Sequence, residues 1–99
     1  MTTNYVVAES ATRLRYDAGL RAALRFRDAI KEALALRSLR LVWIDQRLDG
    51  EGWDVLAKYA DIDLSLTDGT SAAVARRHGI REIFGFDEDF AALGFTLTT

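Results

Sequence analysis

The sequence predicts an α/β fold, and three observations carry that prediction. Apolar residues recur at helical spacing through the first third of the chain and again between 46 and 59. A nearly continuous apolar run, Leu39 to Ile44, interrupts that period. From Asp61 to Phe95 the chain then alternates loop, helix, short apolar strand, one-turn helix and second strand.

Taken in order, Thr2 or Thr3 can cap a first helix over 4–18, with a stripe of Val7, Ala11, Leu14 and Ala18. Gly19 breaks it, and a second helix over 20–36 presents Ala22, Ala23, Leu24, Phe26, Ile30, Ala33 and Leu34 on one broad face. Arg21, Arg25 and Lys31 fall largely off that face, and the joint at the single Gly19 predicts an antiparallel or steeply crossed pair. The run 39–44 is β-branched and aromatic, which predicts a strand covered on both faces with Trp43 in the core. A third helix over 46–59 buries Leu48, Val55, Leu56 and Tyr59, with Gly50 and Gly52 weakening its first turns. Thr67 or Ser65 caps a fourth helix over 67–78, placing Asp68 in its first turn; His78 and Gly79 close it. A strand over 82–86 follows, Asp87 sits where it passes into a short helix, Gly94 ends that helix, and 95–97 is extended. Asp68 and Asp87 thus lie at helix N-termini near strand ends, where open α/β sheets bind ligands.

Ninety-nine residues, half apolar and over a quarter charged, make one soluble globular domain over 1–99. No apolar run approaches membrane-spanning length, and the N-terminus lacks a charged-then-apolar signal pattern. The absence of cysteine removes disulfides and thiolate metal sites and fits a cytoplasmic protein. A formal net charge of −2 exerts no overall pull on nucleic acid, so any RNA contact must come from local arginine patches. Arg13 with Arg15 and Arg76 with Arg77 are the candidates, although a solvated helix face explains both pairs.

Other chemistries find no support. The single His78 has no partner at ligand spacing, which argues against zinc. No Ser sits in a Gly-x-Ser-x-Gly context, and Gly69, Gly79 and Gly85 do not make a phosphate-cradling loop. Trp53 is open between surface packing and stacking on bases. Taken singly, the acids have plain roles: Asp68 a first-turn dipole partner, Asp87 an N-cap, and Glu9 an exposed acid pairing with Arg13 one turn on.

The stretch DLSLTDGTSAAVARRHGIREIFGFDEDFAALGF resembles the C-terminal half of PIN-domain nucleases of the VapC toxin type. It has an apolar-Ser/Thr-x-Thr-Asp lead into a helix, a Gly-Ile break, a strand ending in Phe-Asp-x-x-Phe, and then Leu-Gly-Phe. The segment Thr2 to Glu9 is similar to the family stretch that carries a catalytic Glu. The resemblance implies a three-layer fold with a mostly parallel sheet, and an endoribonuclease in which Glu9, Asp68 and Asp87 are catalytic and hold Mg²⁺ or Mn²⁺. Hard oxygen donors brought together from distant segments suit such a cation. It also implies an RNA substrate and a cognate antitoxin protein as partners. The family ordinarily begins upstream with a strand ending in a further ligand Asp, which has no counterpart after Met1. The expectations drawn from that difference are reduced or absent activity, restored by adding the upstream strand, and a homo-oligomer covering the exposed sheet. Two alternatives stand beside the enzyme: an inactive remnant serving as an oligomerisation or antitoxin-binding module, and a small α/β binding domain whose acids are only caps.

Overall fold

The computed structural model describes residues 1–79 in full and the backbone of 82–84 and 96–98. The chain opens with a two-residue strand, β1 (Thr2–Thr3), and runs straight into α1 (Asn4–Ala18). After Gly19 come α2 (Leu20–Ala35), β2 (Leu41–Val42), α3 (Gln46–Lys58), α4 (Leu66–His78), β3 (Glu82–Phe84) and β4 (Thr96–Thr98). The four predicted helices therefore form within a residue of their expected limits. β1 pairs in parallel with β2, Thr2 opposite Leu41 and Thr3 opposite Val42. β3 pairs in parallel with β4, Glu82 opposite Thr96.

Local chemistry explains the helix starts. Thr3 Oγ1 accepts from the Val6 N–H at 3.2 Å, so a residue of β1 also caps α1. Asp45 caps α3 through the Leu48 N–H, 3.0 Å away. Ser65, rather than Thr67, caps α4, and Asp68 completes a reciprocal capping box. At the other end Gly79 takes the left-handed conformation, φ 65°, and its N–H reaches back to the carbonyls of Ala75 and Arg76.

The core is built around α4. Seven successive residues, Gly69 to Ala75, are buried, which a helix can do only when it is covered on every side. All seven are small or β-branched, so neighbouring backbones approach closely. Ala72 and Ala75 pack with Val55 of α3 and with Met1, Tyr59, Ile62 and Leu64. Val74 packs with Ile44 and Leu48, and with Met1, Tyr5 and Val42, on the other side. Arg77 ion-pairs with Glu51, while Arg76 donates to the Tyr59 hydroxyl at 3.0 Å and lies over its ring. Both arginines thus have structural work between α3 and α4, and the phosphate-gripping role considered for them is unnecessary.

Two sequence expectations are corrected. The strand predicted over 39–44 is confined to Leu41–Val42, and Trp43 is 70% exposed rather than in the core. The side-chain alternation of extended chain sends Ile44 inward and Trp43 outward, where it is largely exposed. Second, α2 has the predicted apolar stripe but no fully buried residue, because only α1 packs substantially on it among the described elements. The predicted Asp87, Gly94 and short final helix lie outside the described residues.

Candidate active site

α1 positions the first candidate. Its start is fixed on three sides: by the Thr3 cap, by Asn4 Oδ1 accepting from the Ile44 N–H, and by the Tyr5 hydroxyl donating to Asp49 Oδ1 at 2.8 Å. The last bond ties α1 to the first turn of α3. It also holds the Tyr5 phenol above its usual 10.0, first through that hydrogen bond, then through desolvation and the Asp49 charge. Glu9, one turn on from Tyr5, is exposed.

Along this side of α1 lies an open cleft of about 650 Å³. Tyr5, Glu9, Thr12, Arg13, Tyr16 and Asp17 line it from α1, and Thr67 lines it from the first turn of α4. The structure therefore brings Glu9 and the start of α4 to one cavity, as α1 and α4 pack together. Thr67 immediately precedes Asp68. The Asp68 carboxylate is oriented by its cap: Oδ2 accepts from the Ser65 N–H at 3.0 Å, while the Asp68 N–H donates to Ser65 Oγ at 3.1 Å. The plain role for Asp68 is thus real, and the same bonds fix its side chain at the mouth of α4. Asp87 lies outside the described residues, and among those residues no three acids or histidines stand close enough to hold a metal ion.

The plain role for Glu9 fares differently. Glu9 and Arg13 sit one turn apart, yet neither has a salt-bridge partner among the described residues. Both side chains face the cleft instead of each other. Sequence reading missed Tyr5, Thr12, Tyr16 and Asp17 as cleft residues. The signal was present: at 3.6 residues per turn, positions 5, 9, 12, 13 and 16 fall on one face of α1, flanking the buried Val6. It was overlooked because the apolar stripe, not the polar one, was used to orient the helix.

Residues 1–96 match the PIN-domain family. This chain is a PIN domain. The 23S rRNA-specific endonuclease VapC20 from two strains of Mycobacterium tuberculosis is 35% identical to it over 98 residues, 96% of this chain and 70% of the relative. The crystal structure of Mycobacterium tuberculosis VapC20, described as a sarcin-ricin loop cleaving toxin, superposes with a TM-score of 0.80 at 34% identity. That match covers 97% of this chain and 71% of the other. The PIN domain here is of the VapC toxin type, a class of ribonucleases that depends on divalent metal. No helix among the described residues is long and apolar enough to cross a membrane.

Proposed function

We propose that this PIN domain is a metal-dependent endoribonuclease toxin whose centre is formed by Glu9, Asp68 and Asp87, with Mg²⁺ or Mn²⁺ as the metal. The observation that carries this is the shared cleft, with Glu9, which has no ion-pair partner among the described residues, on one wall and the first turn of α4 on another. The donor chemistry fits: carboxylate oxygens, no cysteine in the chain, and its single histidine at the far end of α4. When bound, the metal supplies a hydroxide-generating Lewis acid and neutralises charge on the scissile phosphate. The chain's own residues do the rest. The capping box holds the Asp68 carboxylate in one orientation, the Tyr5–Asp49 bond keeps α1 and Glu9 in register with α3, and Arg13 attracts the phosphate backbone.

The proposed substrate is structured ribosomal RNA, on the strength of the relatives' activity. The proposed partners are an antitoxin protein and a second copy of the chain, in the cytoplasm. The open face of α2 supports a protein partner: Leu20 and Leu24 remain 53% and 39% exposed at the start of an amphipathic helix. The test is incubation of the chain with an rRNA fragment and Mn²⁺ or Mg²⁺, with cut sites mapped by primer extension. Cleavage abolished by chelator, by Glu9→Gln and by Asp68→Asn is the expected result. Cleavage that survives Asp68→Asn rules out the assignment.

A further inference from the structure

The cleft extends well past Glu9, and its far half carries groups that metal chemistry does not need. Resting on the proposal that this cleft receives RNA, we infer that Arg13, Tyr16 and Asp17 form a nucleotide subsite, with an unpaired base of the substrate stacked on the Tyr16 ring.

Tyr16 is the most exposed large apolar residue among those described, at 84%, and it stands along the open cleft that also holds Glu9 and Arg13. Its ring makes no aromatic or cation–π contact among the described residues, so a face is available. Arg13, one turn nearer Glu9, has no ionic partner there either and is exposed. A guanidinium without an ionic partner among the described residues, beside an exposed aromatic ring, matches one phosphate and one base of a single strand. Asp17 sets the polarity of the subsite. Its carboxylate repels phosphate, so the backbone must run past Arg13 while the base turns toward Tyr16. There the carboxylate can accept from an exocyclic amine such as that of cytosine. Tyr16 lies seven positions after Glu9, about 10 Å along the helix axis. That is roughly three stacked nucleotides, or fewer if the strand is splayed. A protein ligand suits this wall less well, because it alternates charge and aromatic surface.

The experiment uses the full chain and a short single-stranded oligoribonucleotide carrying one aminopurine, in chelator so that no cleavage intervenes. Anisotropy reads affinity and aminopurine quenching reads stacking. Tyr16→Ala is expected to weaken binding about tenfold and to remove the quench, while Tyr16→Trp keeps both. Arg13→Ala is expected to lower the salt dependence by about one phosphate contact while leaving the quench at saturation. A blunt duplex of the same length should bind at least about tenfold more weakly and ignore Tyr16, since its bases are not free to stack. Unchanged affinity and quench in Tyr16→Ala, or equal binding of the duplex, overturns the subsite. Mn²⁺ uptake, followed by electron paramagnetic resonance, separates this from the metal site. Loss of Mn²⁺ in Glu9→Gln together with indifference at Tyr16 overturns the subsite alone. Mn²⁺ retained in Glu9→Gln and Asp68→Asn, with the Tyr16 effect present, supports the subsite and overturns the metal assignment. A wild-type chain that binds no RNA overturns the subsite, whatever its Mn²⁺ uptake.

Discussion

Gly52 and Gly69 face each other where α3 crosses α4: a Cβ on Gly69 would stand 2.5 Å from the Gly52 carbonyl oxygen. A Cβ on Gly52 would in turn meet the Thr70 side chain at 2.5 Å and its backbone nitrogen at 2.9 Å. Two opposed effects then decide what alanine does at each position. Helix propensity favours alanine over glycine by about 1 kcal/mol. Forcing two backbones apart in a packed core costs about 1–3 kcal/mol. The clash wins, because the opposing atoms are backbone and cannot rotate away. Gly52→Ala and Gly69→Ala are expected to lower the melting temperature. Gly50→Ala, with nothing within 4 Å, should raise it by about 4–8 °C per kcal/mol gained. Thermal unfolding followed by circular dichroism separates the three.

Those glycines also show why parts of the fold were legible and others were not. Helix limits follow from local chemistry, the Thr3, Asp45 and Ser65 caps and the Gly79 stop, so the sequence suffices for them. Gly52 was expected merely to weaken a helix, because the surface it meets belongs to a helix distant in sequence. Trp43 went wrong for the same kind of reason: whether an apolar strand is covered depends on neighbours that local pattern does not name. At the site, the acids of α1 and α4 came from resemblance. The Tyr5–Asp49 bond and the Tyr16 wall required the packing of α1 to be known.

Two buried hydroxyls, Thr2 Oγ1 and Ser71 Oγ, have no hydrogen-bond partner among the described residues. Both residues are essentially inaccessible. Burial of an unpaired hydroxyl costs about 1–3 kcal/mol, so Ser71→Ala is expected to leave stability unchanged or raise it, as is Thr2→Val. A urea midpoint lowered by Ser71→Ala with an unchanged slope would show that the hydroxyl has a partner after all.

Tyr5 gives the fold an alkaline limit. Its folded pKa is raised above the 10.0 of an unfolded tyrosine, so the neutral phenol is the form that the native state favours. The stabilisation is complete below pH 10 and is lost as pH rises through the folded pKa. In Tyr5→Phe that pH-dependent loss should disappear from a series of melting curves. A wild-type curve that stays parallel to Tyr5→Phe across this range would contradict the shift.

The leucine face of α2 predicts self-association. Replacing Leu20 and Leu24 together with lysine removes apolar area that is already partly in water, so the monomer fold should survive. Sedimentation velocity is expected to show a dimer or larger species for the wild type and a monomer for the double variant. A monomeric wild type at micromolar concentration would refute the prediction.

The metal site makes the most exposed prediction, because it separates a ligand from a cap. Asp68 does both jobs in the proposed reading, and Ser65 does only one. Loss of the Ser65 hydroxyl removes a cap worth about 0.5–2 kcal/mol, and that loss is the same with or without metal. Asp68→Asn keeps a side chain that can still accept from the Ser65 N–H but has no charge for a cation. A metal that binds only the folded chain stabilises it by about 2.7 kcal/mol at a hundredfold excess over its dissociation constant. Mn²⁺ is therefore expected to raise the melting temperature of the wild type by roughly 10–20 °C at that excess. Ser65→Ala should start lower and rise with Mn²⁺ by as much as the wild type, because the backbone N–H that Asp68 Oδ2 accepts from is unchanged. Asp68→Asn and Glu9→Gln should start near the wild type and fail to rise. If all four proteins respond to Mn²⁺ alike, the carboxylates are caps and surface acids and the metal is held elsewhere. A full rise in Ser65→Ala beside none in Asp68→Asn separates the two jobs: the cap can be lost without the metal, and the carboxylate cannot.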